Sequence, residues 1–200
     1  FIKQHHFLHS LVRLLYKISL RKANKVFFQN PDDDLLFKTL KITNSTSPTC
    51  VVNGSGVDLD YYHLAELPKQ LNFLLVSRLL KSKGLQIYAE AAKIIKKNHP
   101  NVSFSVAGKI DKNPDAISEN ELNEWINNGD INFLGQLSDV RSAILNCSVI
   151  VLPSFYREGT PRSILEAMSM GRAVVTTDLP GCRETVIEGE NGYLVEPKSV

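Results

Sequence analysis

Two glutamates lie close together in the segment PSFYREGTPRSILEAMSMG, residues 153–171. Glu158 precedes a predicted helix start, and Glu166 follows eight residues later within the same helix. Carboxylates accept hydrogen bonds strongly, and the paired hydroxyls of a sugar or ribose are suitable donors. Two solvated glutamates would give the same pattern, so this spacing alone leaves both interpretations open.

The predicted helix start between these glutamates is suited to a phosphate. Thr160 is a good N-cap, and Pro161 fits the first helical position because it has no amide to satisfy. We therefore expect the amides of Arg162, Ser163 and Ile164 to lack helical acceptors at the positive end of the helix dipole. A phosphate between two carboxylates predicts a ligand with a sugar at each end of a diphosphate, which is a nucleotide-sugar.

A second group of charges follows a predicted strand in SRLLKSKG, residues 77–84. Arg78 and Lys83 flank this loop, and Gly84 opens the next helix. Two cations at the same sheet edge as the glutamates would balance a diphosphate without a metal ion. The alternative is that both are solvated loop charges.

These loops must be positioned by an ordinary globular framework. The chain has 200 residues, of which 43% are apolar and 22% charged, with a net charge of +2. This near-neutral balance disfavours a nucleic-acid partner, and no apolar run is long enough to span a membrane. The three cysteines form no CxxC pair and their odd number disfavours a disulfide framework, so we expect buried thiols in a reducing cytoplasm.

Short apolar runs alternate with helical patterns along the chain, which indicates a doubly wound, Rossmann-like α/β fold with a parallel sheet. Neither a phosphate-binding Walker loop nor a dinucleotide fingerprint is present. The predicted strands are residues 25–29, 49–53, 71–77, 102–108, 131–135, 148–153, 173–177 and 192–196. The predicted helices are residues 31–40, 84–99, 118–128, 139–146, 161–170 and 183–188.

The first 24 residues differ from the rest, because they are basic and contain no acid. Apolar residues recur there at helical spacing, which predicts an amphipathic helix, and we place the main domain at residues 25–200. The apolar stripe is expected to pack on the rest of the protein; the alternative is an anionic membrane surface. The stripe comprises Leu8, Leu11, Val12, Leu15 and Ile18. His5, His6 and His9 have no acidic or thiol partner nearby and are expected to face solvent.

Other residues that could do chemistry have simpler interpretations. Asp32–Asp34 follow Asn30-Pro31 and are expected to complement the start of a helix rather than bind a metal. Trp125 is expected to be a packing residue of a helix. Asp111 and Asp115 lie in a polar loop, where they could approach a base but are more simply solvated.

The whole pattern resembles glycosyltransferase family 4, the retaining, nucleotide-sugar-dependent enzymes of GT-B type. The resemblance runs from about Lys25 to Pro197 through SRLLKSKG, VAGKID, INFLGQLSDV, the segment from PSFYREGTPR to GCRETV, and NGYLV. Within the family, the sequence is most similar to bacterial enzymes that extend polyprenyl-diphosphate-linked glycans. The resemblance implies that this chain is the C-terminal, donor-binding half.

The resemblance also implies a role for each matching residue. Arg78 and Lys83 would contact the donor diphosphate, and Glu158 would contact the hydroxyls of the donor sugar. Glu166 would hold the ribose hydroxyls. The remaining donor contacts would come from backbone groups at Gly159, Thr160, Ser163 and Ile164, and at Leu134 and Gly135 beside the base. No metal and no cofactor are implied, since the nucleotide-sugar is a substrate.

The chain begins with Phe1 and lacks the N-terminal half of a GT-B enzyme, so we expect a fragment that binds donor without turnover. The implied acceptor is a glycan, polyprenyl-diphosphate-linked, bound through the missing N-terminal domain. The expected location is the cytoplasm, at the inner face of the plasma membrane. The alternatives are a non-catalytic nucleotide-binding or scaffold module and a GT-B epimerase or phosphorylase.

Overall fold

The computed structural model describes residues 2–43 and 47–200, and the side chains of the first helix from residue 8 onward. The chain forms two compact units, Phe1–Ser55 and Gly56–Val200. The first unit contains α1 (Ile2–Leu20), β1 (Val26–Phe28), α2 (Pro31–Thr39) and β2 (Thr49–Val51). Its two strands pair in parallel as a separate two-stranded sheet.

The start of α2 is capped by Asn30. The Asn30 side chain accepts a hydrogen bond from the Asp33 amide at 2.7 Å, and Asp32–Asp34 occupy the first turn. Acidic side chains there interact favourably with the positive end of the helix dipole. The helix-start interpretation of these aspartates is confirmed.

The apolar stripe of α1 is exposed in the described structure. Its five apolar residues are exposed, and the aromatic contact that α1 makes within its unit joins Tyr16 to Phe37, with ring centroids 5.3 Å apart. Packing of this stripe on the rest of the protein stays a prediction, since the sequence resembles one half of a longer protein. His9 faces solvent as expected, whereas the side chains of His5 and His6 lie outside the described residues.

The second unit contains a six-stranded parallel sheet in the order β5-β4-β3-β6-β7-β8. All eight predicted strands exist with both ends within two residues of the prediction, and the six from β3 onward form this sheet. Its strands are β3 (Asn72–Val76), β4 (Ser103–Ala107), β5 (Asn132–Phe133), β6 (Val149–Leu152), β7 (Ala173–Thr177) and β8 (Gly192–Val195). The connecting helices are α3 (Leu85–Asn98), α4 (Glu119–Asn127), α5 (Arg141–Leu145) and α6 (Arg162–Ser169), with 3-10 turns at Lys81–Lys83 and Arg183–Thr185.

Helices cover both faces of this sheet, as the doubly wound prediction requires. Adjacent residues of β3 point to opposite faces. Leu75 packs in a cluster with residues of α3 and α4, and Leu74 packs in a second cluster with residues of α5 and α6. Trp125 packs against the first cluster, and Cys147 and Cys182 lie buried in the second. These interpretations of the tryptophan and of two thiols are confirmed, while Cys50 is only half-buried.

The strand order places a topological switch point between β3 and β6. From β3 the chain moves outward to β4 and β5, and then returns to β6 on the other side of β3. In open α/β sheets, ligands bind outside the carboxyl ends of the strands at such a point. The loops after β3 and β6 are therefore where a binding site is expected.

Candidate functional site

Lys83 and Glu158 form an ion pair at the switch point. Lys83 ends the 3-10 turn after β3, Glu158 lies in the loop after β6, and the Lys83 Nζ contacts Glu158 Oε1. The two side chains are 18% and 14% exposed, so the pair is mostly removed from solvent. The fold thus brings together a cation and a carboxylate that lie 75 residues apart in the sequence.

Ser154, which the sequence analysis did not single out, contacts the same carboxylate oxygen. Its hydroxyl is fully buried and donates to Glu158 Oε1 at 2.8 Å. Its carbonyl accepts a hydrogen bond from the Thr177 hydroxyl at 2.5 Å. A serine directly after a buried strand, four residues before the glutamate, was the only sequence signal for this contact.

Two glycines allow the loops of the site to pack closely. Gly84 has a φ of +80°, and a Cβ there would lie 2.1 Å from the Pro153 carbonyl oxygen. Gly181 has a φ of +89°, and a Cβ there would lie 2.2 Å from the Gly159 oxygen. The loops after β3, β6 and β7 therefore meet with their backbones in contact, which only glycine permits at these positions.

The loop after β4 supports the loop after β3. Asp115 accepts hydrogen bonds from the Ser82 amide, at 3.1 Å, and from the Ser82 hydroxyl, and these bonds lower the pKa of Asp115. Asp111 pairs with Arg78 at 3.3 Å, and the Arg78 side chain is largely exposed. The expectation that these aspartates are merely solvated is wrong, because Asp115 fixes the turn that carries Lys83.

The start of α6 differs by one residue from the prediction. The N-cap is Pro161, whose ψ of 120° is extended, and the helix begins at Arg162. Thr160 is buried just before the cap, so the prediction that it caps the helix is wrong. The Ile164 amide donates to the Pro161 carbonyl at 3.1 Å and is not left without a partner as expected. Within the described residues, the amides of Arg162 and Ser163 donate no backbone hydrogen bond.

Glu166 lies on α6 in a different environment from Glu158. Its side chain is only 12% exposed, and burial raises the pKa of its carboxyl group. The Arg162 guanidinium, 3.4 Å from Glu166 Oε1, and a hydrogen bond from the Tyr62 hydroxyl act in the opposite direction on this pKa. Tyr62, in the segment before β3, was also missed by the sequence analysis.

The two residues assigned to the base lie at the end of β5. The Leu134 amide donates to the Val106 carbonyl and the Gly135 carbonyl accepts from the Gly108 amide, both at 2.8 Å. These two backbone groups belong to the sheet edge. Contact between a base and the other backbone groups of Leu134 and Gly135 stays a prediction, as do the roles of Gly159, Thr160, Ser163 and Ile164.

Two kinds of feature are absent from the described ranges, 2–43 and 47–200. These ranges contain no group of three or more histidine, cysteine, aspartate or glutamate residues arranged to hold a metal ion. They also contain no helix that is long and apolar enough to cross a membrane.

The fold defines a doubly wound, Rossmann-like domain of the α/β class, with charged side chains at its switch point. A family model described as glycosyl transferases group 1 matches residues 70–200. The chain belongs to this family, and the recognition made from its motifs is confirmed.

Two relatives with similar sequences are bacterial glycosyltransferases. The N,N'-diacetylbacillosaminyl-diphospho-undecaprenol alpha-1,3-N-acetylgalactosaminyltransferase of Campylobacter jejuni is 28% identical over 203 residues, covering 94% of this chain and 51% of the relative. The capsular polysaccharide biosynthesis glycosyltransferase CapM of Staphylococcus aureus is 32% identical over 127 residues, covering 62% of this chain and 33% of the relative. The chain thus spans about half or less of these curated relatives.

Solved structures share the fold. Anabaena Alr3699/HepE in complex with UDP superposes with a TM-score of 0.78 at 23% identity, covering 98% of this chain and 56% of that chain. TarM superposes with a TM-score of 0.75 at 20% identity, covering 93% of this chain and 36% of that chain. The α/β fold class predicted from the sequence is confirmed.

Proposed function

We propose that this chain binds the nucleotide-sugar donor of a retaining glycosyltransferase. The donor is UDP-linked and carries a hexose or N-acetylhexosamine. The observation that carries the proposal is the Lys83–Glu158 pair at the topological switch point, with Glu166 on the helix that follows. Family membership, and a neighbour of the same fold solved with UDP, support the choice of ligand.

The roles of the side chains follow from their chemistry. Lys83 and Arg78 bind the diphosphate, because two cations offset its negative charge without a metal ion. Glu158 accepts hydrogen bonds from the donor sugar, since its carboxylate lies beside Lys83. Glu166 binds the ribose, and the amide of Ser163 in the first turn of α6 faces a phosphate.

In the proposed reaction, the bond between the anomeric carbon and the diphosphate oxygen breaks while a bond to the acceptor hydroxyl forms on the same face. The hydroxyl proton passes to the departing phosphate, so charge and atoms balance. Lys83 and Arg78 stabilise the negative charge that develops on the diphosphate, which is electrostatic catalysis. The second half of the reaction, acceptor binding, requires residues outside this chain.

We further propose that the acceptor is a polyprenyl-diphosphate-linked glycan used for bacterial surface polysaccharide, at the cytoplasmic face of the membrane. The printed name of the Campylobacter relative includes a diphospho-undecaprenol acceptor. The exposed leucines and basic residues of α1 suit peripheral contact with an anionic surface.

Calorimetric titration of the 200-residue chain with UDP and GDP, in the presence of EDTA, tests the donor proposal. We expect metal-independent binding of UDP that is at least about tenfold weaker in the Arg78→Ala and Glu166→Ala variants, which corresponds to about 1.4 kcal/mol. Lys93→Ala, an exposed lysine on α3, is the matched control and should bind normally.

Other results would change the proposal in defined ways. A preference for GDP would keep the class of enzyme and change the donor. A folded chain that binds neither nucleotide would contradict the proposed donor site.

A further inference from the structure

Ser154 connects the loop that carries Glu158 to the turn that carries Lys83. Its hydroxyl donates to Glu158 Oε1 at 2.8 Å and lies 3.2 Å from the Ser82 carbonyl oxygen. The next amide, of Phe155, donates to that same Ser82 carbonyl at 2.9 Å. The loop that carries Glu158 is thereby joined to the turn that carries Lys83.

The environment of the Ser154 hydroxyl suits a fixed donor. The residue is 0% exposed, so water does not compete for its hydrogen bond. Its carbonyl is held by the Thr177 hydroxyl, which is also fully buried at the end of β7. Of the acceptors within reach of the Ser154 hydroxyl, Glu158 Oε1 is nearer than the carbonyl oxygens of Ser82 and Tyr156.

The hydrogen bond acts on an oxygen that is also bound by a cation. Lys83 Nζ and Ser154 Oγ both contact Glu158 Oε1. A glutamate side chain has several rotatable bonds, and ordering it costs conformational entropy. Two donors from different loops, converging on one oxygen, place the carboxylate before any ligand arrives.

We propose that Ser154 is a positioning residue that holds the Glu158 carboxylate in the orientation needed to accept hydrogen bonds from the donor sugar. This inference rests on the proposed function, because it assigns Glu158 to the sugar of a nucleotide-sugar. Ser154 acts through Glu158 and does not itself touch the donor.

The proposal separates binding of the sugar from binding of the nucleotide. Loss of the Ser154 hydroxyl leaves Arg78, Lys83 and Glu166 in place, so contacts to the diphosphate and ribose persist. The Glu158 carboxylate, however, loses the donor that Ser154 provides and samples other orientations. The affinity for a UDP-sugar should therefore fall relative to the affinity for UDP.

The test is a double-mutant cycle in the 200-residue chain with Ser154→Ala, Glu158→Ala and both together. Each variant is titrated with UDP, UDP-N-acetylglucosamine and UDP-N-acetylgalactosamine. For the sugar nucleotide that wild type binds better, we expect Ser154→Ala to weaken binding about fivefold to tenfold and to change UDP binding by less than about twofold. The double variant should be no weaker than Glu158→Ala, since the serine acts through the glutamate.

Controls separate positioning from general damage. Ser105→Ala removes a half-buried hydroxyl from β4 and should bind all three ligands normally. Ser154→Thr retains the hydroxyl and should recover part of the sugar-nucleotide affinity if it folds, which thermal unfolding checks.

Two results would overturn the inference while leaving the proposed function intact. One is equal loss of affinity for UDP and for the UDP-sugars in Ser154→Ala, which indicates a structural role. The other is additive losses in the double variant. A wild-type chain that binds no nucleotide contradicts the proposed function and this inference together.

Discussion

The two glutamates of the candidate site are held in different ways. Glu158 lies in a loop whose backbone touches two other loops, and its carboxylate is paired with Lys83 and bound by Ser154. Glu166 lies on α6, where burial opposes its ionisation and its cationic partner is the exposed Arg162. The Glu158 carboxylate is thus fixed by specific partners. The Glu166 carboxylate is partly desolvated, and its cationic partner is exposed to solvent.

This difference indicates that the two carboxylates have separate roles in the proposed site. A fixed carboxylate beside a half-buried cation suits the reacting end of a donor, where small displacements reduce catalysis strongly. A half-buried carboxylate with an exposed counter-charge suits hydroxyl recognition, because ribose hydroxyls can replace the water that burial removes. Substitutions at four positions test this difference between the two glutamates, and their expected effects decrease from Gly84 to Arg162.

Among these substitutions, Gly84→Ala should destabilise the protein most, because it disturbs the loops that hold Glu158. The added Cβ would meet the Pro153 carbonyl at 2.1 Å in a backbone with a φ of +80°. We expect a loss of about 3 kcal/mol in the free energy of unfolding, measured by chemical denaturation.

Gly129→Ala is the matched control for that change. Gly129 has a φ of +73°, but nothing lies within 4 Å of the position of an added Cβ. It should lose only about 1 kcal/mol, the cost of the backbone conformation alone. Equal losses in the free energy of unfolding at both glycines would show that the close contact between the loops does not affect stability.

Lys83→Ala should weaken UDP binding by about thirtyfold, or about 2 kcal/mol, because it removes a charged hydrogen-bond donor from a mostly buried site. Lys38→Ala is the control, since Lys38 pairs with Asp34 at 2.7 Å but is 52% exposed. That variant should change neither UDP affinity nor stability by more than about 0.5 kcal/mol. Unchanged UDP binding in Lys83→Ala would remove the lysine from the donor site.

Glu166→Gln should stabilise the protein at neutral pH while weakening UDP binding. The pKa of Glu166 is raised above 4.5 in the folded state, so its ionisation opposes folding. The stability of wild type relative to the glutamine variant should fall as pH rises through the raised pKa. The difference should disappear once pH is below the unfolded pKa, near 4.5.

Chemical denaturation at about pH 4 and about pH 7 measures this effect. A glutamine variant that is less stable than wild type at neutral pH would contradict the desolvated environment of Glu166. The same variant with unchanged UDP affinity would separate Glu166 from the nucleotide.

Arg162→Ala should have the smallest effect on stability, within about 0.5 kcal/mol, because the Arg162 side chain is 72% exposed. The pKa of Glu166 should rise further, since a positive charge that favours the carboxylate is removed. Comparing the pH dependence of stability between Arg162→Ala and wild type measures this shift. An unchanged pH profile would show that Arg162 has no influence on the carboxylate.

Sequence patterns predicted the framework well because hydrophobic periodicity reports directly on burial. All eight strands were found, and Asn30-Pro31 with its three aspartates identified the start of α2. For α1 the same reasoning shows only that a surface could be buried, because a periodic apolar stripe does not identify what covers it.

The site was predictable in its charged residues and not in their partners. Lys83 and Glu158 were singled out by charge type and motif, and the fold brought them together. Tyr62 was missed and Asp115 was expected to be solvated, because a contact with a residue far along the chain leaves no local pattern. Ser154 was missed although Glu158 lies only four residues away, because a single serine after a strand is not distinctive. The start of α6 was misplaced by one residue because Pro161 can occupy either the cap or the first turn.

Titration of Glu158→Gln and Glu166→Gln with UDP and with a bound UDP-sugar tests whether the two glutamates have separate roles. We expect Glu166→Gln to weaken both ligands by the same factor, about tenfold, and Glu158→Gln to weaken only the UDP-sugar. Weakening of UDP by Glu158→Gln as large as that by Glu166→Gln would contradict the assignment of one carboxylate to the sugar and the other to the nucleotide.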